Sequence, residues 1–291
     1  MSGTTLATQF DIGKPARGQL RIISLAASGT EILFALGVGD WLVGVSKYCD
    51  YPSAALEKPK VGSFIEADYE AIQNAHPDLV LTQSHLQRDI VARLIDLNIN
   101  VLSLNPVSLT GVVEMVTTIG RLVDCKREAE VLASQMHAQI DAVRNRSSSL
   151  FRRPRVYFEE WGHPLIPAGG WESECVDVAG GINVFPFPAN IHSRERQICS
   201  EDVIRANPEL IIVSWPGSFG RIRPYKIKQR SGWESIDAVR AGRVFVIDDR
   251  LIVRPGPRIV QGLELIAELV QRAIEGEAHD NSARERCPRE A

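Results

Sequence analysis

The chain has 291 residues, of which 44% are hydrophobic and 24% are charged, and its formal net charge at neutral pH is −3. These proportions are typical of a soluble globular protein, and the length suits two domains of ordinary size. The small negative charge gives no electrostatic reason to expect binding to nucleic acid or to an anionic membrane. No segment reaches the ~20 apolar residues that span a bilayer, so we expect no membrane insertion.

The five cysteines are odd in number and scattered, and no two of them form a CxxC pair. This pattern argues against a zinc knuckle or a disulfide framework and is most typical of a reducing compartment. The first twenty residues also lack the apolar core of a secretory signal. We therefore expect a cytoplasmic protein, with a periplasmic or other extracytoplasmic location as the alternative if the true start lies upstream.

In the first half of the chain, short apolar strands alternate with helices. The segment Arg21-Ile-Ile-Ser-Leu-Ala predicts a buried strand, apolar on both faces as parallel strands are. Ser28-Gly-Thr-Glu31 has the form of a capping box for the next helix, and Gly37 marks the end of that helix. The alternation continues to Leu104, which indicates a parallel sheet with helical crossovers.

Helical spacing of apolar residues takes over after Leu109, with a break near Cys125. We interpret the second of these helices as a stiff connector. A second alternation begins with the strand Arg155-Val-Tyr-Phe and closes with an amphipathic helix over Ile259–Ile274. The remaining residues are polar and charged, which is typical of disorder.

The pattern as a whole predicts an α/β fold made of two similar lobes with mainly parallel central sheets, joined by a long rigid α-helix. The predicted segments are a flexible N-terminal arm (1–19), an N-terminal lobe (20–125), the connecting helix (126–148), a C-terminal lobe (152–274) and a disordered tail (275–291).

An internal repeat supports the two-lobe prediction. The stretch from Glu70 to Leu81 recurs 131 residues later (position 70 against position 201) as Glu201 to Ile212. Each copy predicts a short helix closed by X-Pro, then an acidic residue and a buried strand. Two similar lobes imply a cleft between them, and such clefts are preferred places for small ligands.

Several motifs, in order over residues 20–274, carry a resemblance to a known family: Ile22-Ile-Ser-Leu-Ala-Ala-Ser-Gly-Thr-Glu-Ile-Leu-Phe-Ala-Leu-Gly, Gly44-Val-Ser-Lys-Tyr-Cys-Asp-Tyr-Pro, Pro77-Asp-Leu-Val, Val178-Ala-Gly-Gly-Ile-Asn-Val-Phe, Trp233-Glu-Ser-Ile-Asp-Ala-Val with Gly242-Arg-Val, and Arg254-Pro-Gly-Pro-Arg. With these motifs the chain resembles the substrate-binding proteins of ABC importers for vitamin B12 and iron-siderophores. Asp50-Tyr-Pro and the Val178 motif are most similar to B12 binders. The resemblance implies a ligand held between the lobes without chemistry.

The resemblance also implies which side chains meet the ligand, because family ligands lie in the cleft against aromatic rings. By motif position the candidates are Tyr48 and Phe64 in the first lobe and Trp161 and Asp249 in the second. Further candidates lie near them in sequence: Gln83, His85, His163, Trp171, His192, Trp215 and Arg250. Trp233 is assigned to the core of its helix. The expected ligand is cobalamin or a related corrinoid, and the alternative is an iron-siderophore.

We expect no metal site and no cofactor belonging to the protein itself, since the six histidines form no i,i+4 or H-x-H pair. A histidine in the cleft could still reach the metal of a bound chelate. Catalytic motifs such as G-x-S-x-G, a P-loop or G-x-G-x-x-G are absent from the sequence. Glu159 and Glu160 point to opposite faces of a strand and so do not pair. An enzyme acting on a cleft-bound cofactor remains the second alternative.

Two exposed carboxylates are candidates for docking on a membrane permease. Family members that dock present one carboxylate from each lobe to arginines of the permease, and the resemblance places these at Glu70 and Glu201. Each could instead simply favour its own helix N-terminus through the helix dipole. We expect a monomer. The basic run from Arg221 to Arg230 is interpreted as a solvated loop, with a rim that attracts an anionic ligand as the alternative.

Overall fold

The computed structural model describes residues 19–218 and 221–276. The predicted flexible arm and disordered tail lie outside the described residues, except for their inner ends. Among the described residues, no helix combines the length and the apolar character needed to cross a membrane.

A four-stranded parallel sheet organises the first half of the chain. Its strands are β1 (Ile22–Ser24), β2 (Leu42–Val45), β3 (Leu79–Gln83) and β4 (Val101–Leu104), and their order across the sheet is β2-β1-β3-β4. The helices of this half are α1 (Ala27–Ala35), α2 (Tyr69–Asn74), α3 (Arg88–Asp96) and α4 (Leu109–Leu122). The central strand β1 is fully buried, which suits its two isoleucines, and the hydroxyl of the buried Ser24 donates to the carbonyl of Ala26 at 2.7 Å.

The connection to the second half is a long helix, α5 (Lys126–Ser148), with 23 residues. It follows α4 after a short break and packs along it. The two helices approach closely at Gly120, where an added Cβ would lie 2.2 Å from the Cβ of Ala129. The bounds of α5 coincide with the predicted connecting helix, while the lobe boundaries on either side of it stay a prediction.

The second half contains a five-stranded sheet made of β5 (Arg155–Gly162), β6 (Leu165–Pro167), β7 (Ile182–Asn183), β8 (Leu210–Val213) and β9 (Val244–Val246). Strand β6 is antiparallel to the end of β5, and the other pairings are parallel. Without β6, the order β7-β5-β8-β9 repeats the order of the first sheet. The helices are α6 (Gly170–Val178), α7 (Ser200–Ala206), α8 (Pro224–Lys228), α9 (Asp237–Arg240), α10 (Asp249–Ile252) and α11 (Ile259–Glu275). The predicted fold class is confirmed.

The sequence repeat is also a structural repeat. Helix α2 and strand β3 in the first half match helix α7 and strand β8 in the second. Between helix and strand, the residue before proline adopts a positive φ in both copies, 45° at His76 and 43° at Asn207. This left-handed residue turns the chain from the helix end into the strand.

The acidic residue of each repeat ties the strand that follows it, β3 or β8, to the first strand of its half. The carboxylate of Asp78 accepts a hydrogen bond from the backbone N–H of Arg21 at 2.7 Å. In the other half, Glu209 accepts from the backbone N–H of Arg155 at 3.1 Å. The same residue type at the same place in each copy therefore serves the same purpose, which is to hold the start of a strand pair in register.

A single large hydrophobic cluster connects the two halves. It includes buried residues of both sheets and of the helices between them, such as Val116 on α4, Met136 on α5 and Ile266 on α11. Helix α11, although last in sequence, packs against α5. Because the halves share a core instead of being joined by a flexible linker, large hinge motions would break apolar contacts.

The predicted capping box at the first helix is wrong. Helix α1 begins at Ala27, so Ser28 and Glu31 lie inside it, and its N-cap residue makes no side-chain cap. The Glu31 carboxylate instead accepts hydrogen bonds from Arg258 at 2.6 and 2.9 Å. Gly37 does follow the helix end, with a φ of 77°.

Candidate ligand-binding cleft

A cavity of about 600 Å³ lies between the two halves. Its lining comes from loops that follow the carboxyl ends of strands in both sheets: residues 27–28, 48, 83–86 and 105–107 in the first half, and residues 160–161, 216–217 and 249 in the second. The crevice at the carboxyl ends of parallel strands is where ligands bind in open α/β sheets.

The structure brings together eight of the eleven side chains predicted to meet a ligand. The predicted residues that line the cavity are Tyr48, Phe64, Gln83, His85, Trp161, Trp171, His192 and Asp249. Two of them are held by hydrogen bonds to neighbouring groups. Gln83 accepts from the hydroxyl of Ser28, and the indole of Trp171 donates to the carbonyl of Ile252 at 2.9 Å. The remaining three predicted residues lie outside the lining.

His163 and Trp215 lie behind Trp161 and support it. The carbonyl of His163 accepts from the Trp161 indole at 2.9 Å, and the ring centroids of Trp161 and Trp215 are 5.9 Å apart. The Trp215 indole donates to Glu159 at 3.0 Å. Its ring also covers Gly162, where a Cβ would lie 2.2 Å from the ring. These two residues therefore orient the exposed tryptophan instead of lining the cavity.

Arg250 and Asp249 are engaged in local contacts. The Arg250 guanidinium donates to the carboxylate of Asp248 at 2.5 to 3.0 Å and lies 3.9 Å from the Asp50 carboxylate of the first half, and it does not line the cavity. Asp249 does line the cavity, but its buried carboxylate accepts from the backbone N–H of Gly217 at 2.9 Å and from the hydroxyl of Ser218 at 3.3 Å. It shapes the loop after β8.

Much of the cavity surface is apolar. Trp161 is 40% exposed, and the lining also includes three exposed aliphatic side chains that the sequence did not single out: Ile65, Leu86 and Val107. Exposed apolar side chains gathered in one concave place mark a binding surface. The arrangement suits a large ligand with an apolar face.

Two histidines meet across the cavity. His85 comes from the first half and His192 from the second, and their ring centroids are 4.0 Å apart. Burial lowers the pKa of His85, and the nearby charges of His192, Arg194 and Arg88 lower it further. A lowered pKa favours the neutral form of the His85 ring, which can lie this close to the His192 ring without charge repulsion. The pair brings the two halves together on one side of the cavity.

The two adjacent carboxylates of β5 lie on opposite faces, as predicted. Glu159 points into the second lobe, where it accepts from Arg230 at 2.5 and 2.9 Å and from the Tyr157 hydroxyl at 3.1 Å. Glu160 points to the cavity and pairs with Arg196 at 2.6 Å. The solvated-loop interpretation of the basic run is therefore wrong for Arg230, because its charge is needed to neutralise a buried carboxylate.

Sequence reasoning missed a second carboxyl group beside Glu160. Glu172, in the first turn of α6, also lines the cavity and is 3% exposed. Burial raises the pKa of Glu172 well above its ordinary range, and the charge of Glu160 raises it further. No spacing rule indicates this pair, because the two residues belong to different elements.

Two close ion pairs join the halves beside the cavity, and Arg250 adds a longer contact to Asp50 at 3.9 Å. Arg254, in the loop before α11, donates to Asp50 at 2.5 Å, and Arg258 pairs with Glu31. The Arg258 guanidinium also lies 4.0 Å from the centroid of the Tyr51 ring. Within the described residues, no group of three or more His, Cys, Asp or Glu side chains could hold a metal ion.

The two predicted docking carboxylates lie away from the cavity, in the first turns of equivalent helices. Glu70 is exposed on α2 and Glu201 is exposed on α7. Hydrogen bonding from a backbone N–H at the start of α7, and then from Cys199, lowers the pKa of Glu201. Both carboxylates are therefore exposed charges at matching places on the two lobes.

Comparison with known proteins shows relatives over most of the chain. An uncharacterised ABC transporter substrate-binding lipoprotein of Bacillus subtilis is 27% identical over 256 residues, which are 86% of this chain and 79% of that protein. A vitamin B12-binding protein of Vibrio vulnificus is 26% identical over 277 residues, 91% of this chain and 95% of that protein. A vitamin B12-binding protein of Yersinia pestis is 30% identical over 210 residues, 69% of this chain and 71% of that protein.

Solved structures with the same fold include a periplasmic heme-binding protein from Roseiflexus in its apo form. Its TM-score is 0.77 at 25% identity, and the match covers 88% of this chain and all of that chain (100%). The periplasmic vitamin B12-binding protein of Vibrio cholerae has a TM-score of 0.71 at 25% identity, with 88% of this chain and 98% of that chain covered.

The predicted cytoplasmic location is wrong. The relatives include a lipoprotein and proteins described as periplasmic, and these work outside the cytoplasm. Unpaired cysteines misled the prediction because they are compatible with either compartment when a large hydrophobic core stabilises the fold without disulfides.

The family model for periplasmic binding proteins matches residues 22–251, which span both sheets and the cavity between them. With this match and the shared architecture, the chain belongs to the periplasmic binding protein family.

Proposed function

We propose that this protein binds a cobalamin-like corrinoid in the cleft between its lobes and presents it to an ABC transporter. The observation that carries the proposal is the cavity at the carboxyl edges of two equivalent sheets, walled by Trp161 and by exposed aliphatic side chains. Such walls suit the face of a large flat ring system. The vitamin B12-binding relatives, matched over most of their length, support a corrinoid.

An anionic siderophore has less support from the cavity. The lining contains two arginines, and both are already paired, Arg196 with Glu160 and Arg254 with Asp50. An anionic ligand would have to displace a carboxylate from one of them. The apolar walls favour a ligand that packs against them with the faces of a large ring system.

Binding without chemistry is part of the proposal. Burial raises the pKa of Glu172 well above its ordinary range, which favours the protonated carboxyl, and Glu160 is paired with Arg196. Neither group is therefore placed as a free general base. The same ligand should be released as was bound.

Titration of the purified protein with cyanocobalamin tests the proposal. We expect a saturable one-to-one complex with a shifted corrin absorption band. Trp161→Ala should weaken binding by roughly 5- to 30-fold, since removing this ring contact costs about 1–2 kcal/mol. Phe151→Ala is the control because Phe151 is also an exposed aromatic but lies outside the cavity lining. This variant should bind cyanocobalamin with the affinity of the wild type.

Three results would count against the proposal. Absence of saturation with cyanocobalamin would reject a corrinoid, and parallel titrations with heme and a ferric siderophore would then identify the ligand class. Equal effects of Trp161→Ala and Phe151→Ala would place the ligand outside this cleft. Mass spectrometry of ligand recovered after long incubation should show no change in mass, and a modified corrinoid would indicate an enzyme.

Docking on a permease through Glu70 and Glu201 belongs to the same proposal. Support comes from their exposure and from their equivalent positions in the two repeats. In addition, helices α2 and α7 contribute no residue to the cavity lining. Two matching carboxylates on a pseudo-twofold surface fit a partner that presents two arginines, because guanidinium and carboxylate pair through two hydrogen bonds.

A further inference from the structure

A charged cluster on the cavity wall has no role in the face-on packing described above. It consists of Glu160 on β5, Glu172 on α6 and Arg196, all of which line the cavity. Glu160 is the most accessible member, with 18% of its side chain exposed, while the Arg196 side chain is 7% exposed. Glu160 is therefore the part of the cluster that a ligand would touch.

Arg196 is unavailable to a ligand. One of its terminal nitrogens donates to Glu160 at 2.6 Å, and the other donates to the carbonyl of Pro167. Its Nε is buried against Gly169, where a Cβ would lie 2.7 Å from the guanidinium carbon. The positive charge of Arg196 thus lies behind Glu160 as its ion-pair partner.

Glu172 favours its protonated form. Glu172 is 3% exposed, and burial, followed by the nearby charge of Glu160, raises its pKa well above the ordinary range. A protonated carboxyl can donate a hydrogen bond, so Glu172 is suited to donate to Glu160. Glu160 consequently accepts from both neighbours.

An ionised carboxylate has about four lone-pair positions, of which these two contacts use two. The remaining acceptor capacity of Glu160 faces the cavity. A ligand group that donates an N–H or O–H would complete the cluster, whereas a carboxylate would bring a second negative charge against Glu160.

We propose that Glu160, held by Arg196 and Glu172, is a specificity-determining acceptor that selects ligands with carboxamide edges over ligands with carboxylate edges. This inference rests on the proposed function and extends it from the face of the ligand to its periphery. A carboxamide can donate a hydrogen bond to the charged acceptor, whereas a carboxylate is repelled by it. This difference corresponds to a preference for the carboxamide ligand of roughly 10- to 100-fold in affinity.

The test uses cyanocobalamin, whose periphery carries carboxamides, and its separated monocarboxylate isomers, each with one carboxamide hydrolysed. We expect the wild type to bind at least one isomer at least about 10-fold more weakly than the parent compound. Glu160→Gln should remove this difference, because glutamine is uncharged and its amide N–H can donate to a carboxylate. Glu195→Gln, an exposed glutamate outside the lining, should keep the wild-type ratio.

If Glu160→Gln fails to fold, the reason is that the buried Arg196 has lost its negatively charged partner. The double variant Glu160→Gln/Arg196→Met removes the buried pair as a unit, and it should also lose the preference. Equal binding of all isomers by the wild type, or an unchanged ratio in both variants, would overturn this inference while leaving corrinoid binding intact. Failure of the wild type to bind cyanocobalamin would instead overturn the proposed function and this inference together.

Discussion

Glu159 shows how a single buried charge supports the binding surface from behind. Its side chain is fully buried and accepts hydrogen bonds from Arg230, the Tyr157 hydroxyl and the Trp215 indole. Trp215 in turn packs on Trp161, the exposed ring of the cavity. A charge outside the cavity lining therefore fixes the ring that we propose contacts the ligand.

This network predicts a large effect of Arg230→Met on stability. The change leaves Glu159 buried without a positive partner, which should cost about 3–5 kcal/mol of the free energy of unfolding. Urea denaturation measures this cost. Lys226→Met, an exposed change in the same helix region, should stay within about 0.5 kcal/mol of the wild type. The double variant Arg230→Met/Glu159→Met should recover most of the lost free energy of unfolding. If Arg230→Met were as stable as Lys226→Met, the buried pair would not stabilise the fold.

Among the secondary-structure elements, helices α2 and α7 carry the features that repeat between the lobes. Each begins with an exposed glutamate, Glu70 or Glu201, and each leads through a left-handed residue and a proline into the third strand of its sheet. Because the strands fix both helices in the same way, the two carboxylates are held on rigid supports.

Charge reversal on these helices should therefore abolish productive docking. We expect Glu70→Lys/Glu201→Lys to reduce the ligand-dependent ATP hydrolysis of a reconstituted corrinoid ABC importer by at least about 10-fold, since like charges at an interface cost several kcal/mol. Corrinoid affinity should not change. The control is Glu128→Lys, an exposed first-turn glutamate on α5.

Loss of the helix-dipole interaction costs only about 0.3–1 kcal/mol per site, so both proteins should remain folded in a thermal melt. Unchanged ATP hydrolysis by the double variant would mean that these glutamates serve only their own helix N-termini.

At the scale of the whole molecule, the lobes are held together by a shared core and by two buried ion pairs, Arg258 with Glu31 and Arg254 with Asp50. These contacts join segments more than 200 residues apart in sequence (separations of 227 and 204). They lie beside the cavity, so they set the width of the cleft before any ligand arrives. Binding should then need little closure.

Removing one pair as a unit should loosen the lobes. In the variant Arg258→Met/Glu31→Met, spin labels on the two lobes should report a broader distribution of interlobe distances than in the wild type. Arg144→Met/Asp141→Met removes a surface ion pair within α5 and should leave the distribution unchanged. An equally narrow distribution in both variants would show that the shared core alone holds the lobes.

The sequence by itself determined the features that depend on local pattern. Alternating strands and helices, the break before α5, the repeat and the buried position of Trp233 all follow from periodicity, turn residues and proline, which act over a few positions. The candidate cavity residues came instead from the family resemblance, by motif position. Most of them line the cavity because loops after parallel strands meet at one edge of a sheet.

Only the tertiary structure decided which charged residues became partners. Glu31 resembles a capping residue by spacing, yet it pairs with Arg258 from the other end of the chain, and Glu172 lies among ordinary helix residues but is buried against Glu160. Pairings of this kind depend on which elements pack together after folding. Burial makes an unpaired charge costly, and burial is a property of the assembled lobes that no local window of sequence contains.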